Sequence, residues 1–120
     1  MKQVLIIEDD RWLADIQKHH LEGAGFEVKV AHEAFTAIDY IDSSKPDLIV
    51  ADVLLAGSTI FALLHELRSY PDTTGIPVVL CTNLADGISG TDLQEYNVKR
   101  VVDKTTMEPA DLVAAVKACL

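Results

Sequence analysis

Acidic, hydroxyl and amine side chains follow four short apolar segments of the sequence, at the points where those segments end. The segments and the residues that follow them are 4–7 with Glu8, Asp9 and Asp10; 48–51 with Asp52; 78–81 with Thr82; and 101–102 with Asp103 and Lys104. Short, uninterrupted apolar segments are typical of strands that are buried on both faces. Because the carboxyl ends of parallel strands meet at one edge of a sheet, we expect these side chains to lie together, with Asp52 at the centre.

The carboxylates of this group could hold a divalent cation. Carboxylates that converge on one point repel each other, and a cation between them relieves that repulsion. Magnesium prefers oxygen ligands and usually takes one or two carboxylates together with waters and a phosphate. We therefore expect Asp9 and Asp52 to ligate such an ion directly and Glu8 to act through a water molecule.

Asp52 could also act as a nucleophile, because a carboxylate can accept a phosphoryl group and become an aspartyl-phosphate. A cation and the Lys104 ammonium would offset charge on the transferring group, and the Thr82 hydroxyl could bond one of its oxygens. Each residue alone also has a plain structural interpretation, as a solvated strand end, a loop acid, a cap or a surface lysine. The specific signal is that the required residue types come together at four strand ends.

The composition is typical of one globular domain in a reducing, cytoplasmic location. The chain has 120 residues, of which 49% are hydrophobic and 24% charged, and its net charge of −9 argues against non-specific binding to nucleic acid or anionic membranes. No apolar segment reaches the length of a membrane span, and no secretory signal opens the chain. Cys81 and Cys119 show no metal-binding spacing, and Cys81 is expected to be a small buried residue.

Hydrophobic periodicity predicts that helices alternate with these strands. The predicted helices are 11–23 with Asp10 as N-cap, one that carries residues 35–41, one capped by Ser58, one over 84–96, and one with Pro109 in its first turn. Residues 26–30 alternate in polarity as an edge strand does. Gly87 and Gly90 weaken the fourth helix, which we expect to be short, late-starting or mobile. Five βα units predict a parallel sheet covered by helices on both faces.

Over its whole length, residues 1–120, the chain resembles the receiver domain of two-component response regulators, in particular chemotaxis-regulator-like receivers. The motifs that carry the resemblance are Leu5-Ile6-Ile7-Glu8-Asp9-Asp10, Asp47-Leu48-Ile49-Val50-Ala51-Asp52, Val79-Leu80-Cys81-Thr82 and Asp103-Lys104. The spacing between these motifs matches the family as well. The resemblance implies an α/β, flavodoxin-like (βα)5 three-layer sandwich with a parallel sheet of order 2-1-3-4-5.

The same resemblance implies a function. Asp52 would accept a phosphoryl group from the phosphohistidine of a sensor histidine kinase or a histidine phosphotransfer domain, with Thr82 as the switch hydroxyl and Lys104 as the phosphate-facing lysine. The magnesium ligands would be Glu8, Asp9, Asp52 and the backbone carbonyl of Leu54. A downstream protein would bind the face formed by the fourth helix, the fifth strand and the fifth helix, without direct contact to nucleic acid or membrane. Such a domain catalyses only its own phosphorylation and dephosphorylation and is not a turnover enzyme.

Five positions depart from the family pattern, which usually has a proline, a glycine, a small residue, an aromatic residue and a second proline there. In that order, the residues here are Ala56, Ile60, Asn83, Val101 and Thr105. An inward-swinging aromatic side chain is therefore not the expected readout of phosphorylation. Because a cis bond before a non-proline residue costs about 2.5–4 kcal/mol, we predict a trans Lys104–Thr105 bond and a lysine less well aimed at Asp52.

Two other functions are compatible with the residues. A degenerate receiver could act as a phosphorylation-independent protein-interaction module. A small phosphohydrolase could use Asp52 as its nucleophile, although such enzymes of the aspartyl type carry a second acid two residues later, where this chain has Leu54.

Overall fold

A computed structural model describes residues 1–55, 58–83, 90–105 and 108–120 of the chain. Its elements in chain order are β1 (Gln3–Ile7), α1 (Arg11–Gly23), β2 (Glu27–Ala31), α2 (Ala34–Ser43), β3 (Leu48–Ala51), β4 (Leu54–Leu55), β5 (Ser58–Thr59), α3 (Phe61–Arg68), β6 (Val78–Thr82), α4 (Gly90–Glu95), β7 (Val98–Asp103) and α5 (Pro109–Cys119). Within these ranges, none of the helices combines the length and the apolar character that a membrane span requires.

Five strands form one parallel sheet in the order β2-β1-β3-β6-β7, which is 2-1-3-4-5 when only these five strands are counted. The predicted α/β, flavodoxin-like architecture is therefore confirmed. All residues of β3 and β6 are buried, as expected for central strands with helices on both faces. The edge strand β7 buries only its first residue, Val98. The parallel direction brings the carboxyl ends of β1, β3, β6 and β7 to one edge of the sheet.

The two faces of the sheet pack against different helices. Leu5 and Ile7 of β1 belong to one hydrophobic cluster, and Val4 and Ile6 belong to the other, because side chains alternate along a strand. The first cluster includes residues of α2 and α3, namely Ala37, Ile41, Leu63, Leu64 and Leu67. The second includes residues of α1 and α5, namely Leu21, Leu112 and Val116. Each fully buried Leu, Ile or Val contributes roughly 1.5–3 kcal/mol, so these clusters hold the strand ends in place.

Local signals fix the ends of α1 and α5. The Asp10 carboxylate accepts a hydrogen bond from the Leu13 N–H at 3.1 Å, which confirms the predicted N-cap of α1. After α1, Gly25 has a φ of +98°, a left-handed conformation that glycine adopts without strain as the chain turns into β2. Pro109 is the first residue of α5, as predicted, and the Asp111 carboxylate accepts from the Glu108 N–H at 2.8 Å.

Two predictions for local structure are wrong. Ser58 does not cap the third helix, because α3 begins at Phe61 and Ser58–Thr59 pairs with Leu54–Leu55 in a two-stranded antiparallel hairpin. Two-residue strands are too short for hydrophobic periodicity to indicate them. The fifth strand of the sheet ends at Asp103, as the sequence indicated, but it is longer than the apolar pair Val101-Val102 suggested, since it begins at Val98.

Two further expectations fall partly or wholly on residues outside the described ranges. The helix α4 spans Gly90–Glu95, and the predicted segment 84–89, which includes Gly87, lies outside the described residues. Ala56, one of the positions that depart from the family pattern, also lies outside them.

Candidate functional site

Glu8, Asp52, Thr82 and Lys104 each end or directly follow a strand at the carboxyl edge of the sheet. The Asp52 N–H donates to the Ile7 carbonyl at 3.2 Å, which ties the end of β3 to the end of β1. The Lys104 N–H donates to the Thr82 carbonyl at 3.1 Å, which ties the end of β7 to the end of β6. The backbone hydrogen bonds of the sheet thus continue beyond the strands and position the side chains that follow them.

Glu8, Asp9 and Asp52 form an acidic cluster, in which one carboxylate oxygen of each lies within 4.8 Å of the other two. Glu8 is buried, Asp52 is half-buried and Asp9 is exposed, so the cluster opens to solvent on the Asp9 side. The second Glu8 oxygen, Oε2, accepts a hydrogen bond from the Asp10 N–H at 3.3 Å. Three hard oxygen donors at this separation could hold a divalent cation whose remaining ligands are waters. The predicted convergence of these acids is confirmed.

Lys104 bridges the two less exposed acids of this cluster. Its Nζ lies 2.6 Å from Oδ2 of Asp52 and forms a second ion pair with Oε1 of Glu8. Only 11% of the lysine side chain is exposed. The predicted trans Lys104–Thr105 bond is confirmed, since the described part of the chain contains no cis peptide bond. The expectation that this lysine is poorly aimed at Asp52 is wrong.

Burial and charge shift the pKa values of Glu8 and Lys104. Burial raises the pKa of Glu8, because the loss of hydration outweighs the hydrogen bond and the positive charge that Lys104 provides. Burial alone would lower the pKa of Lys104, but hydrogen bonds and charges from Asp52 and Glu8 outweigh it, and the net pKa is raised. Lys104 is therefore a fixed cation at neutral pH, and it makes ionisation of the buried Glu8 less costly.

Cys81 lies one residue before Thr82 and is buried, as the sequence predicted. The Gln17 amide of α1 donates to its sulfur at 3.5 Å. Burial raises the pKa of the Cys81 thiol to about 12. The group is therefore a neutral thiol at physiological pH and offers no thiolate nucleophile to the site.

His32 is a site residue that the sequence analysis missed. Its Nδ1 lies 3.0 Å from the Glu8 carbonyl oxygen, and since a carbonyl only accepts, Nδ1 carries the proton in this contact. The Glu8 N–H donates to the Ala31 carbonyl at 3.0 Å, so both backbone groups of Glu8 are held by the end of β2. The His32 side chain is half-buried in this position. The position of His32 directly after the edge strand β2 was the signal in the sequence that could have indicated this contact.

Comparisons with known proteins agree with this fold. The family model of the response regulator receiver domain matches residues 4–117. The transcriptional regulatory protein CpxR of Escherichia coli K12 is 32% identical over 122 residues, which cover 100% of this chain and 50% of CpxR. A crystal structure of a chain from Chloroflexus aurantiacus, assigned as a response regulator, is 31% identical with a TM-score of 0.84 and covers 98% of this chain and 96% of its own. The Thermotoga maritima response regulator TrrA, solved in complex with Mg²⁺-BeF, is 22% identical with a TM-score of 0.86 over 100% of both chains.

The sheet order and the acid–lysine cluster at its carboxyl edge define an α/β domain of the receiver class. The chain belongs to the response regulator receiver domain family, which confirms the resemblance drawn from its motifs. Domains of this family are signalling switches of two-component systems and not turnover enzymes. The chain spans about half the length of the curated relatives it matches.

Proposed function

We propose that residues 1–120 form the phosphoacceptor switch of a two-component phosphorelay, with Asp52 as the residue that is phosphorylated. The observation that carries this proposal is the surroundings of the Asp52 carboxylate. One of its oxygens is 2.6 Å from the Lys104 ammonium, and the carboxylate also lies within the acidic cluster of Glu8 and Asp9. A carboxylate between an ammonium and a cation-binding cluster is suited to attack a phosphoryl group, whose negative charge both neighbours would offset.

The cation in this proposal is Mg²⁺, and the donor set fits it. Glu8, Asp9 and Asp52 offer hard carboxylate oxygens in a cluster that opens to solvent at Asp9. The backbone carbonyl of Leu54 would be a further ligand. The complex of TrrA with Mg²⁺-BeF supports the choice of metal by analogy of fold. When bound, Mg²⁺ would offset negative charge on the transferring phosphoryl group.

The residues of the chain have distinct roles in the proposed reaction. An Asp52 oxygen forms a bond to the phosphorus while the bond from phosphorus to the phosphohistidine nitrogen breaks, and the released imidazole takes up a proton. Lys104 exchanges part of its contact with Asp52 for a phosphoryl oxygen. Thr82, at the end of β6 and buried, would then donate its hydroxyl to another phosphoryl oxygen. This movement would favour one of two packings of the surface formed by α4, β7 and α5.

The partners in this proposal are those typical of the receiver family. The phosphodonor is a sensor histidine kinase or a histidine phosphotransfer domain. The proposal places this domain in the cytoplasm. The downstream partner is a protein that binds the α4-β7-α5 surface, and this domain makes no direct contact with nucleic acid.

A phosphorylation-independent interaction module is the alternative. Val101 and Thr105, where the family usually has an aromatic residue and a proline, favour it. The ion pairs of Lys104 with Asp52 and Glu8 argue against it, because they hold the ammonium beside the proposed phosphoacceptor.

Intact mass separates the two functions. The native chain is incubated with acetyl phosphate and Mg²⁺, and it should gain the mass of one phosphoryl group, whereas Asp52→Asn and Asp52→Ala should gain none. Omitting Mg²⁺ should prevent the gain. A folded native chain that stays unmodified in the presence of Mg²⁺ would contradict the proposal and favour the interaction module.

A further inference from the structure

A hydrogen-bonded turn at the end of β7 fixes the backbone on both sides of Lys104. On one side, the Asp103 carboxylate oxygen Oδ1 accepts two hydrogen bonds from Thr105, one from its N–H at 2.9 Å and one from its hydroxyl at 2.7 Å. On the other, the Lys104 N–H donates to the Thr82 carbonyl at 3.1 Å. The lysine Cα therefore starts from a defined position although it lies beyond the end of an edge strand.

We propose that Asp103 and Thr105 are positioning residues that aim the Lys104 ammonium at Asp52. The inference rests on the proposed function, since it concerns the lysine that would contact the phosphoryl group. Neither residue contacts the phosphoryl group or the cation in the proposed chemistry. Their effect on the reaction passes through the position of Lys104.

The reach of a lysine side chain explains why the turn matters. Lysine carries its charge at the end of four flexible carbons, so the ammonium position depends on where the Cα lies and on the direction of the Cα–Cβ bond. Here the ammonium contacts both Asp52 and Glu8, and a shifted backbone would lose at least one of these contacts. Residue 105 is the position where the family usually has proline, a residue that restricts the backbone through its ring. In this chain, two hydrogen bonds to Asp103 restrict the same segment.

The charge state of Asp103 suits this role. Hydrogen bonds from the Thr105 hydroxyl and N–H lower the pKa of Asp103, so its carboxylate remains an acceptor across the physiological range. Thr105 is exposed, and Asp103 is half-buried at the rim. Substitutions at these positions therefore leave the hydrophobic core intact.

Four substitutions test the turn through the rate of phosphorylation by acetyl phosphate at a fixed Mg²⁺ concentration. Asp103→Ala removes the acceptor of both hydrogen bonds and should lower the rate about tenfold, since a misplacement of about 1 Å can cost up to a hundredfold. Thr105→Val keeps the N–H donor and should lower the rate by about threefold, the effect of one modest hydrogen bond. Asp103→Asn and Thr105→Ser keep the acceptor and both donors, respectively, and should restore rates close to native. The Mg²⁺ affinity of all four should not fall, because the acidic cluster is unchanged.

A double-mutant cycle shows whether the effect passes through Lys104. In the Lys104→Met background, Asp103→Ala should cause no further loss of rate, because the lysine it positions is absent. The inference is wrong if Asp103→Ala is phosphorylated as fast as the native chain, or if it slows Lys104→Met as much as it slows the native chain.

Crystal structures keep the inference testable even if the native chain accepts no phosphoryl group, an outcome that would overturn the proposed function. In the native chain, the Lys104 Nζ should lie within hydrogen-bonding distance of Asp52 Oδ2, and in Asp103→Ala it should not. An unchanged distance in the variant would overturn the positioning role independently of any phosphorylation measurement.

Discussion

β3 and β7 end at the same edge of the sheet, but different interactions hold their ends in place. β3 is buried at each of its four residues and is hydrogen-bonded to β1 on one side and to β6 on the other. β7 is an edge strand that pairs only with β6 within the main sheet and buries only Val98. The packing of the core therefore fixes the position of Asp52. Lys104 depends on a carbonyl of the neighbouring strand and on a polar turn.

This difference separates the two halves of the proposed chemistry. The nucleophile is placed by packing, which a substitution at the rim scarcely alters. The ammonium is placed by a few hydrogen bonds and ion pairs, each of which one substitution removes. We expect the departures from the family pattern at Val101 and Thr105 to be tolerated because the local contacts of this chain still place Lys104 between two acids.

The largest expected effect comes from Lys104→Met, which removes the cation between Glu8 and Asp52. Glu8 is 2% exposed, so its ionised form would lose its compensating charge, and breaking such a pair costs about 3 kcal/mol of the free energy of unfolding. The matched control is Lys99→Met on the same strand, where the side chain is exposed and the change should be within about 0.5 kcal/mol. Urea denaturation in Mg²⁺-free buffer measures both.

Mg²⁺ should affect the stability of Lys104→Met as well. Added Mg²⁺ should recover much of the lost stability, because a ligand that binds only the folded state stabilises it by mass action. A Lys104→Met chain as stable as the native one in Mg²⁺-free buffer would show that the ion pairs contribute nothing net.

A matched pair of Val→Ala substitutions tests the different burial of the two strands directly. Val50 of β3 is 1% exposed, whereas Val102 of β7 is half-buried, and both pack in the same hydrophobic cluster. Val50→Ala should lower the free energy of unfolding by about 2–3 kcal/mol, and Val102→Ala should lower it by about 1 kcal/mol. The second loss is smaller because the side chain on the edge strand buries less apolar surface on folding. Equal losses in urea denaturation would mean that β7 is as firmly packed as the centre of the sheet.

The contrast between the strands also explains which parts of the sequence could be interpreted. The bounds of β3 and the position of Asp52 were predictable because a strand buried on both faces is apolar throughout. β7 was predicted only at Val101 and Val102, since the exposed Lys99 and Arg100 interrupt the apolar pattern of an edge strand. The hairpin of β4 and β5 was missed because two-residue strands have no period.

The direction of the Lys104 side chain toward Asp52 could not be predicted, for a different reason. The family pattern indicated only that a proline is missing after the lysine, and that absence suggested a displaced side chain. The hydrogen bonds between Asp103 and Thr105 that hold the segment are local, and they depend on backbone geometry that spacing and hydrophobicity do not encode. His32 was missed for the same reason, because its partner is a backbone carbonyl and not another motif residue.

The last expected effect concerns how β7 begins. Asn97, the residue before the strand, has a φ of +59°, and its side-chain amide donates to the Ile76 carbonyl at 3.0 Å. Asn97→Ala should cost about 2 kcal/mol, because alanine loses the hydrogen bond and is strained in the left-handed region. Asn97→Gly loses the same hydrogen bond without that strain and should cost only about 0.5–1 kcal/mol.

The difference between the two Asn97 variants isolates the backbone contribution at the start of the edge strand. Thermal or urea unfolding of both variants beside the native chain measures it, and phosphorylation by acetyl phosphate should be unchanged in each because Lys104 lies at the opposite end of β7. If the glycine variant loses as much stability as the alanine variant, the side-chain hydrogen bond to Ile76, and not the left-handed backbone, holds the start of β7. If either variant is phosphorylated more slowly, the two ends of β7 are coupled. The position of Lys104 would then depend on the whole edge strand and not only on the turn that follows it.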